Sequence, residues 1–312
     1  MSKMLVTGGC GFIGSNLAEK LLELGNEVVI VDDLSSARED FAEFINKNKS
    51  LELIPTCFSS DYVLTRIKNK EFDFVFHNAA IPRVSYSVEN PFITTDVNIS
   101  KTVKLMEACK DNIKRFVFAS SSSVYGGADT LPTPCDHEKD PKSPYAWQKS
   151  SIEDAIKIFC NLYDFEAVCL RYFNVFGPGQ FGGSAYSTAV SAWCHAIKNG
   201  TSLRSDGTGE QSRDMCYVDN VVQANIKAAS SDKKFTGECY NIACGDRVTN
   251  NEILEFLKNK FGDLEIVNAP PRPGDVMHTH ADISKTQEDL GYEPEVKFWN
   301  GLEKTLDWWE LC

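Results

Sequence analysis

What this sequence lacks narrows it first. No run is long and apolar enough to span a bilayer as a helix. The opening residues, Met1-Ser2-Lys3-Met4-Leu5, show no charged segment followed by an apolar core and a cleavage site. The expectation is a cytoplasmic protein with no membrane partner. The eleven cysteines are odd in number and form no C-x-x-C pair, and Cys109, Cys160 and Cys169 fall inside apolar segments. That pattern speaks against a disulfide framework and for small buried thiols in a reducing compartment. His278 and His280 lie two apart on a strand-like face without further ligands in pattern, so no metal is expected. Basic charge is also short: 32 Lys and Arg against 44 Asp and Glu, net -12. A nucleic-acid partner would need a basic face, so none is expected. A few placed arginines would still suffice for a phosphorylated ligand. Internal repeats, low-complexity tracts and long linkers are missing too.

What is present begins with a strand pattern at Lys3–Thr7, followed by Gly8-Gly9-Cys10-Gly11-Phe12-Ile13-Gly14. A helical pattern with Leu17, Leu21, Leu22 and Leu24 follows, with Gly25 placed as its C-terminal cap. The next strand, Glu27–Val31, runs into Asp32-Asp33. Strand, glycine turn, helix, strand and acid together make a dinucleotide cradle. Gly8 lets the turn close, Gly11 lets the backbone approach a pyrophosphate, and Gly14 lets helix and strand pack. The helix N-terminus attracts the phosphates. Asp32, 18 residues beyond Gly14, is placed for an adenosine ribose 2′-hydroxyl and would repel a 2′-phosphate. NAD is therefore expected over NADP.

Alternation continues with strands near Leu51–Ile54, Phe72–His77, Arg115–Ser120, Glu166–Tyr172 and Glu238–Asn241. Helices are expected near Asp61–Lys68, Thr95–Lys110, Ser143–Tyr163 and Asp219–Ser231. This predicts an α/β fold, a Rossmann-type doubly wound parallel sheet with a smaller α/β C-terminal substrate domain. The cofactor domain is drawn as 1–175 plus 213–245, and the substrate domain as 176–212 plus 246–312. A helix at Asn250–Phe261, a segment Asp282–Leu290 and a last helix with Trp299, Leu302, Leu306 and Trp309 complete the chain. The apolar set of that last helix reads as core packing.

Between Ala119 and Lys149 lie a serine cluster, Ser120 to Ser123, and the pair Tyr145 and Lys149. Four apart on a helix, these two share a face. A lysine ammonium there can favour a tyrosinate, which for a base near neutrality means a drop of about three pKa units, or about 4 kcal/mol. A solvated helix face would carry the same two residues, so their meaning depends on the cradle upstream.

The motifs G-G-C-G-F-I-G, H-N-A-A, S-S-S-S-V-Y-G, Y-A-W-Q-K, R-Y-F-N-V-F-G-P and R-P-G-D follow one another in order. In that series the chain resembles the extended short-chain dehydrogenase/reductases, in particular the nucleotide-sugar epimerases and dehydratases. The likeness is greatest to bacterial-type UDP-hexose 4-epimerases. The resemblance implies that Tyr145 is the base, Lys149 its electrostatic partner and holder of the nicotinamide ribose, and Ser121 the hydroxyl at the substrate O4. Ser122 and Ser123 are second choices. It implies cofactor contacts from Gly8, Gly11, Phe12, Ile13, Gly14, Asp32, Phe58, Ala79, Ala80, Asn98 and Tyr172, besides Tyr145 and Lys149. On the substrate side it implies Asn174 at the sugar-phosphate, Arg213 and Arg272 as diphosphate clamps, Asp275 at the uridine ribose, Thr279 near the sugar's C2 substituent, and a substrate contact from Tyr186. A homodimer through a four-helix bundle, from Thr95–Lys110 and Ser143–Tyr163, is also implied.

The serines choose among reactions. Related dehydratases and decarboxylases carry acids where this chain has Ser122 and Ser123, and hydroxyls are poor general acids or bases near pH 7. Reversible oxidation at C4 remains, with NAD retained. Thr279 is small, which admits an N-acetyl group, so UDP-GlcNAc/UDP-GalNAc is expected ahead of UDP-glucose/UDP-galactose. UDP-glucuronate 4-epimerisation is the alternative; a net dehydrogenase or a non-catalytic sensor stands further off. Two departures weaken the likeness. Cys57-Phe58 stands where the family has an acid before an apolar residue at the adenine. Ser191-Ala192 stands where it often has a proline and a basic residue.

Overall fold

The computed structural model describes residues 1–184, 187–271 and 276–311. The first half alternates strand and helix: β1 (Lys3–Thr7), α1 (Phe12–Glu23), β2 (Glu27–Asp32), α2 (Phe41–Lys47), β3 (Glu52–Pro55), α3 (Asp61–Lys68) and β4 (Phe74–His77). Next come α4 (Val84–Glu89), α5 (Pro91–Thr95), a π-helical turn (Asp96–Lys101), α6 (Thr102–Cys109) and β5 (Arg115–Ser121). A 3-10 turn (Ser122–Tyr125) precedes α7 (Pro144–Leu162), β6 (Ala167–Tyr172) and β7 (Val175–Phe176). Then follow α8 (Ala189–Lys198), β8 (Leu203–Asp206), β9 (Ser212–Arg213), β10 (Cys216–Tyr217), α9 (Val218–Ser230) and β11 (Thr236–Ile242). The chain ends with β12 (Val248–Thr249), α10 (Asn250–Phe261), β13 (Ile266–Ala269), α11 (Ser284–Leu290) and α12 (Phe298–Trp308).

The main sheet has seven parallel strands in the order β11-β6-β5-β4-β1-β2-β3. The winding reverses between β1 and β4, so a crevice opens at their carboxyl ends. Both faces of these strands are covered, which is why β1 and β6 read as continuous apolar runs. Along β4 the side chains alternate: Phe76 packs with α1 and α9, and Val75 with α3, α6 and α7. Among the described residues no helix is long and apolar enough to cross a membrane.

Three short pairings, β10 with β7, β12 with β9 and β13 with β8, lie outside the main sheet and tie segments of the second half to one another. The α10 helix is started by a capping box, Thr249 with Glu252. Of the last helix's apolar set, Leu302, Leu306 and Trp309 are buried, but Trp299 is 41% exposed and lies against Phe256. The helix expected over Thr95–Lys110 is interrupted. It begins earlier, with Pro91 at the first helical position, and opens into the π turn around Asn98. A 3.6-residue period does not register one inserted residue, so that turn was invisible in the pattern.

Candidate active site

The glycine turn is packed to the limit of backbone contact. Gly8 has φ +71°, and a Cβ there would lie 2.8 Å from the Ala79 nitrogen. A Cβ on Gly14 would lie 2.1 Å from the Gly8 carbonyl oxygen, so only glycine lets α1 start this close to β1. Gly9, which the motif reading did not single out, is just as constrained, its Cβ falling 2.5 Å from Ile30. Gly11 precedes α1 without a side-chain cap, and no acid sits in the first turn. The first N–H groups of Phe12 and Ile13 therefore point their partial positive charge into the crevice.

Asp32 closes the far side of the turn. Its carboxylate accepts from the Cys10 nitrogen at 2.9 Å and the Leu34 nitrogen at 2.8 Å. Burial raises its pKa above the ordinary carboxylate value, and those N–H donors act against the rise. Behind it, Arg38 donates to Ser15 Oγ at 3.0 Å and pairs with Asp40, with its own backbone nitrogen on the Cys10 carbonyl. At the end of β4, both polar atoms of the Asn78 side chain are buried with no hydrogen-bond partner among the described residues. A glycine cradle, an uncapped helix start and an acid at the end of β2 fit a dinucleotide. Phe58 buries its ring edge-on to His77, 4.9 Å between centres, which leaves its backbone for any cofactor contact. Cys57 bonds Ser59, and Asp61 turns outward to Lys104.

His77 ends β4 buried between two hydroxyls, Thr7 at 2.7 Å and Thr102 at 2.9 Å. Burial first, and Lys149 second, push its pKa down to about 3, so the ring is neutral. Ala79 passes over Gly8, with Ala80 next along the chain. The strand-to-α4 backbone is fixed there by Asn98, whose amide accepts from Ile81 N at 2.8 Å and donates to Ile81 O at 3.1 Å. Asn98 also donates to Gln148 at 2.8 Å, and Gln148 reaches Thr94 and Thr95. Gln148, fully buried beside Lys149, was missed by the motif reading. Its only signal was its place inside Y-A-W-Q-K.

β5 and α7 bring together the three chemical groups. Ser143 caps α7 by accepting from Ala146 N, and Pro144 fills the first helical position. Tyr145 is thereby set in the first turn, its nitrogen donating to Ser87 Oγ at 3.1 Å. Burial pushes its phenol up to about 12, while the Ser121 hydroxyl and the Arg83 charge pull it back. Lys149 Nζ donates to the Ala119 carbonyl at 2.7 Å and sits over Phe118. Burial brings its pKa down to about 8, opposed by Glu153. Ser121 Oγ accepts from the Ser123 nitrogen and hydroxyl at 3.2 and 2.9 Å.

The neighbouring carboxylate is committed elsewhere. Glu153 accepts from Ser120 Oγ at 2.6 Å and takes a two-point ion pair from Arg171. Arg171 continues to Tyr125, and Tyr125 to Asn241. Tyr172, expected at the cofactor, shares its hydroxyl with Asn225 on α9.

A cavity of about 460 Å³ opens beside this group, lined among others by Arg83, Ser85, Asn174, Trp193 and Arg213. Asn174, at φ +29°, donates to Thr279 Oγ1 at 3.0 Å, so the structure joins two of the expected substrate residues directly. Arg213 donates to the Ser212 and Met277 carbonyls at 3.0 Å. Asp214 is structural: it accepts from Cys244 N and Ala281 N, and burial raises it to about 6. Ser191 bonds the Thr188 carbonyl, and Ala192 lines the cavity. Tyr186, Arg272 and Asp275 lie outside the described residues.

A parallel sheet with a glycine cradle at its switch point, flanked by serine, tyrosine and lysine, defines a dinucleotide-binding protein of the short-chain dehydrogenase/reductase type. The chain belongs to the NAD dependent epimerase/dehydratase family, whose model matches residues 4–243. It is similar to the UDP-glucose 4-epimerase of Mycolicibacterium smegmatis, 31% identical over 98% of this chain and 97% of that one. Among solved structures it resembles the UDP-N-acetylglucosamine 4-epimerase from Methanobrevibacter ruminantium M1 in complex with UDP-N-acetylmuramic acid. There the TM-score is 0.92 at 38% identity, over 99% of this chain and 98% of that one. The UDP-glucuronic acid 4-epimerase from Bacillus cereus, in complex with UDP-glucuronic acid and NAD, gives 0.90 at 30%, over 99% of each chain.

Proposed function

We propose that this chain is an NAD-dependent UDP-hexose 4-epimerase, with UDP-GlcNAc and UDP-GalNAc as its preferred pair and UDP-glucose and UDP-galactose as slower substrates. One observation carries the reading: Ser121, Tyr145 and Lys149 converge at the cofactor crevice, and the segment beside them holds Ser122 and Ser123. Among the described residues, the buried carboxylate close by is Glu153, which is bound to Ser120 and Arg171. Elimination or decarboxylation needs an acid or base that this arrangement does not supply.

Bound NAD supplies the acceptor, and then the donor, of the C4 hydride. Tyr145 takes the O4 proton as hydride leaves and gives it back on reduction, with Ser121 bonded to the same oxygen. Lys149 stabilises the tyrosinate and holds the nicotinamide ribose. Phe12, Ile13 and the three glycines seat the pyrophosphate, and Asp32 takes the adenosine ribose. Asn174 and Arg213 hold the nucleotide diphosphate while the 4-keto sugar turns over, with Arg272, Asp275 and Tyr186 assigned to the same nucleotide. Thr279 leaves room for the C2 substituent. Residues 1–175 with 213–245 serve the cofactor, and 176–212 with 246–312 the nucleotide sugar.

The relative that acts on UDP-N-acetylglucosamine supports the N-acetyl preference. Ten free cysteines among the described residues support a reducing compartment, and so a cytoplasmic enzyme. Exposed apolar residues on α5 and α7 support a homodimer through those helices. The substrate is tested by proton NMR of UDP-GlcNAc, UDP-glucose and UDP-glucuronate incubated with the protein. Fastest C4 inversion of UDP-GlcNAc is expected. Inversion of UDP-glucose or UDP-glucuronate, with UDP-GlcNAc unchanged, would overturn the Thr279 argument.

A further inference from the structure

Of the four consecutive serines, Ser120 has no role in the reaction, yet it is buried and its hydroxyl donates to Glu153 Oε1 at 2.6 Å. Its two chain neighbours both belong to the site. The Ala119 carbonyl accepts from Lys149 Nζ at 2.7 Å, and Ser121 stands where β5 ends and the 3-10 turn begins. Glu153 lies four residues beyond Lys149, on the same face of α7. A fully buried carboxylate is costly unless it is paired, and Glu153 is held at both oxygens. Arg171 Nε donates to Oε1 at 2.9 Å and Arg171 Nη2 to Oε2 at 2.8 Å, with Lys139 Nζ 3.7 Å from Oε2. Arg171 also donates to the Tyr125 hydroxyl at 2.7 Å and to the Cys135 carbonyl at 2.8 Å. Tyr125 in turn donates to Asn241 on β11 at 2.6 Å. The carboxylate that grips Ser120 is thus locked to α7, β6 and β11 at once.

We propose that Glu153 is a positioning residue for the reaction: through Ser120 it fixes the end of β5, and with it both the Ala119 carbonyl that seats Lys149 and the Ser121 hydroxyl. The proposal rests on the epimerase reading above. Glu153 exchanges no proton and reaches no substrate, being fully buried. An apolar pair in place of Glu153 and Arg171 would often be as stable, but it would offer Ser120 no acceptor. The ladder between β5 and β6 ends with Ser121 opposite Tyr172, so the Ser120 bond is a side-chain anchor one residue before the chain turns. The same carboxylate is a counter-charge for the ammonium one helical turn away. Among the described residues, the titratable groups that act on Lys149 are Tyr145 and Glu153 from α7, His77 from β4 and Cys169 from β6. His77 is neutral, and burial keeps the Cys169 thiol protonated, so Glu153 and the tyrosinate supply the negative charge. Glu153 is itself faced by Arg171 from β6, Lys139 from the segment before α7, Ser120 from β5 and Cys239 from β11.

The test is the kinetics of Ser120→Ala and Glu153→Gln in the NAD-loaded enzyme, with the UDP-hexose that the wild type turns over fastest. Ser120→Ala removes the one bond and leaves the ion pair to Arg171 in place. Its kcat should fall about tenfold, with KM and the calorimetric affinity for NAD unchanged. Glu153→Gln also removes the charge, so Lys149 should lose its proton at lower pH. The alkaline limb of kcat should then move down by about one unit. A Ser120→Ala enzyme with wild-type kcat, or with its loss confined to KM or to NAD binding, would overturn the proposal, leaving Glu153 a buried ion pair and no more. An unshifted alkaline limb in a folded Glu153→Gln enzyme would overturn it as well. Ser120→Ala decides alone if the glutamine variant does not fold. Wild-type enzyme that inverts no UDP-hexose at C4 would instead overturn the reading on which the proposal rests.

Discussion

At the scale of single residues, the site places charge where burial disfavours it. Lys149 is only 4% exposed, and its pKa falls from 10.5 to about 8. Its folded pKa lies below its unfolded one. The ammonium therefore costs stability below about pH 8, and the cost disappears as pH rises toward the ordinary lysine value. The full cost is on the order of 3 kcal/mol. Lys149→Met should give a cofactor-free protein that is more stable at neutral pH by about 2 kcal/mol, with turnover abolished. The advantage should shrink as pH rises through the lysine range. Urea melts at several pH values check this; a variant less stable at neutral pH, or a difference that ignores pH, would contradict it. Gly8, Gly11, Gly14, Asp32, Ser121, Tyr145 and Lys149 were all legible, because their spacing carries their chemistry. Arg83, Gln148 and Asn78 were not, because each is a single polar residue in a loop or helix whose neighbours give no period. Only the fold shows that Gln148 braces Asn98 and that Arg83 lines the cavity.

At the scale of elements, parallel strands were easy to read and the irregular pieces were not. Strands buried on both faces announce themselves as apolar runs. The π turn at Asp96–Lys101, the short α4, and the pairing of Leu203–Asp206 with Ile266–Ala269 lack such a signal. Each depends on contacts distant in sequence. The α7 helix carries two apolar stripes. Ile152 and Ile156 are buried against the sheet, whereas Trp147, Ile158 and Leu162 are 49%, 55% and 68% exposed on another face. Phe92 and Ile93 on α5 are exposed as well. Any dimer surface on this helix is thus confined to the exposed face, since Ile152 and Ile156 belong to the core. Such a stripe favours a second copy of the chain. Leu162→Glu with Ile158→Lys should convert a dimer to a monomer in sedimentation velocity while leaving the fold intact by circular dichroism. A wild-type chain that sediments as a monomer at micromolar concentration would refute the dimer.

At the scale of the whole molecule, the proposed function puts the cofactor in the crevice at the carboxyl ends of β1, β2 and β4, and the nucleotide sugar in the cavity beside it. Asn174, bonded to both Asp214 and Thr279, joins the segment after β6 to the residues before α11. The sheet was foreseeable because alternation and the glycine turn constrain topology. The cavity was not, since its lining is gathered from Pro82 to Ile253 across segments far apart in sequence. The central claim is that hydride leaves C4 and returns to C4 within one enzyme-bound NAD. UDP-GlcNAc carrying deuterium at C4 tests this directly, incubated with the purified protein without added cofactor. The account predicts UDP-GalNAc with the deuterium still on C4 and no NADH released to solution. Loss of the label to solvent, or inversion only with stoichiometric consumption of added NAD, would contradict it.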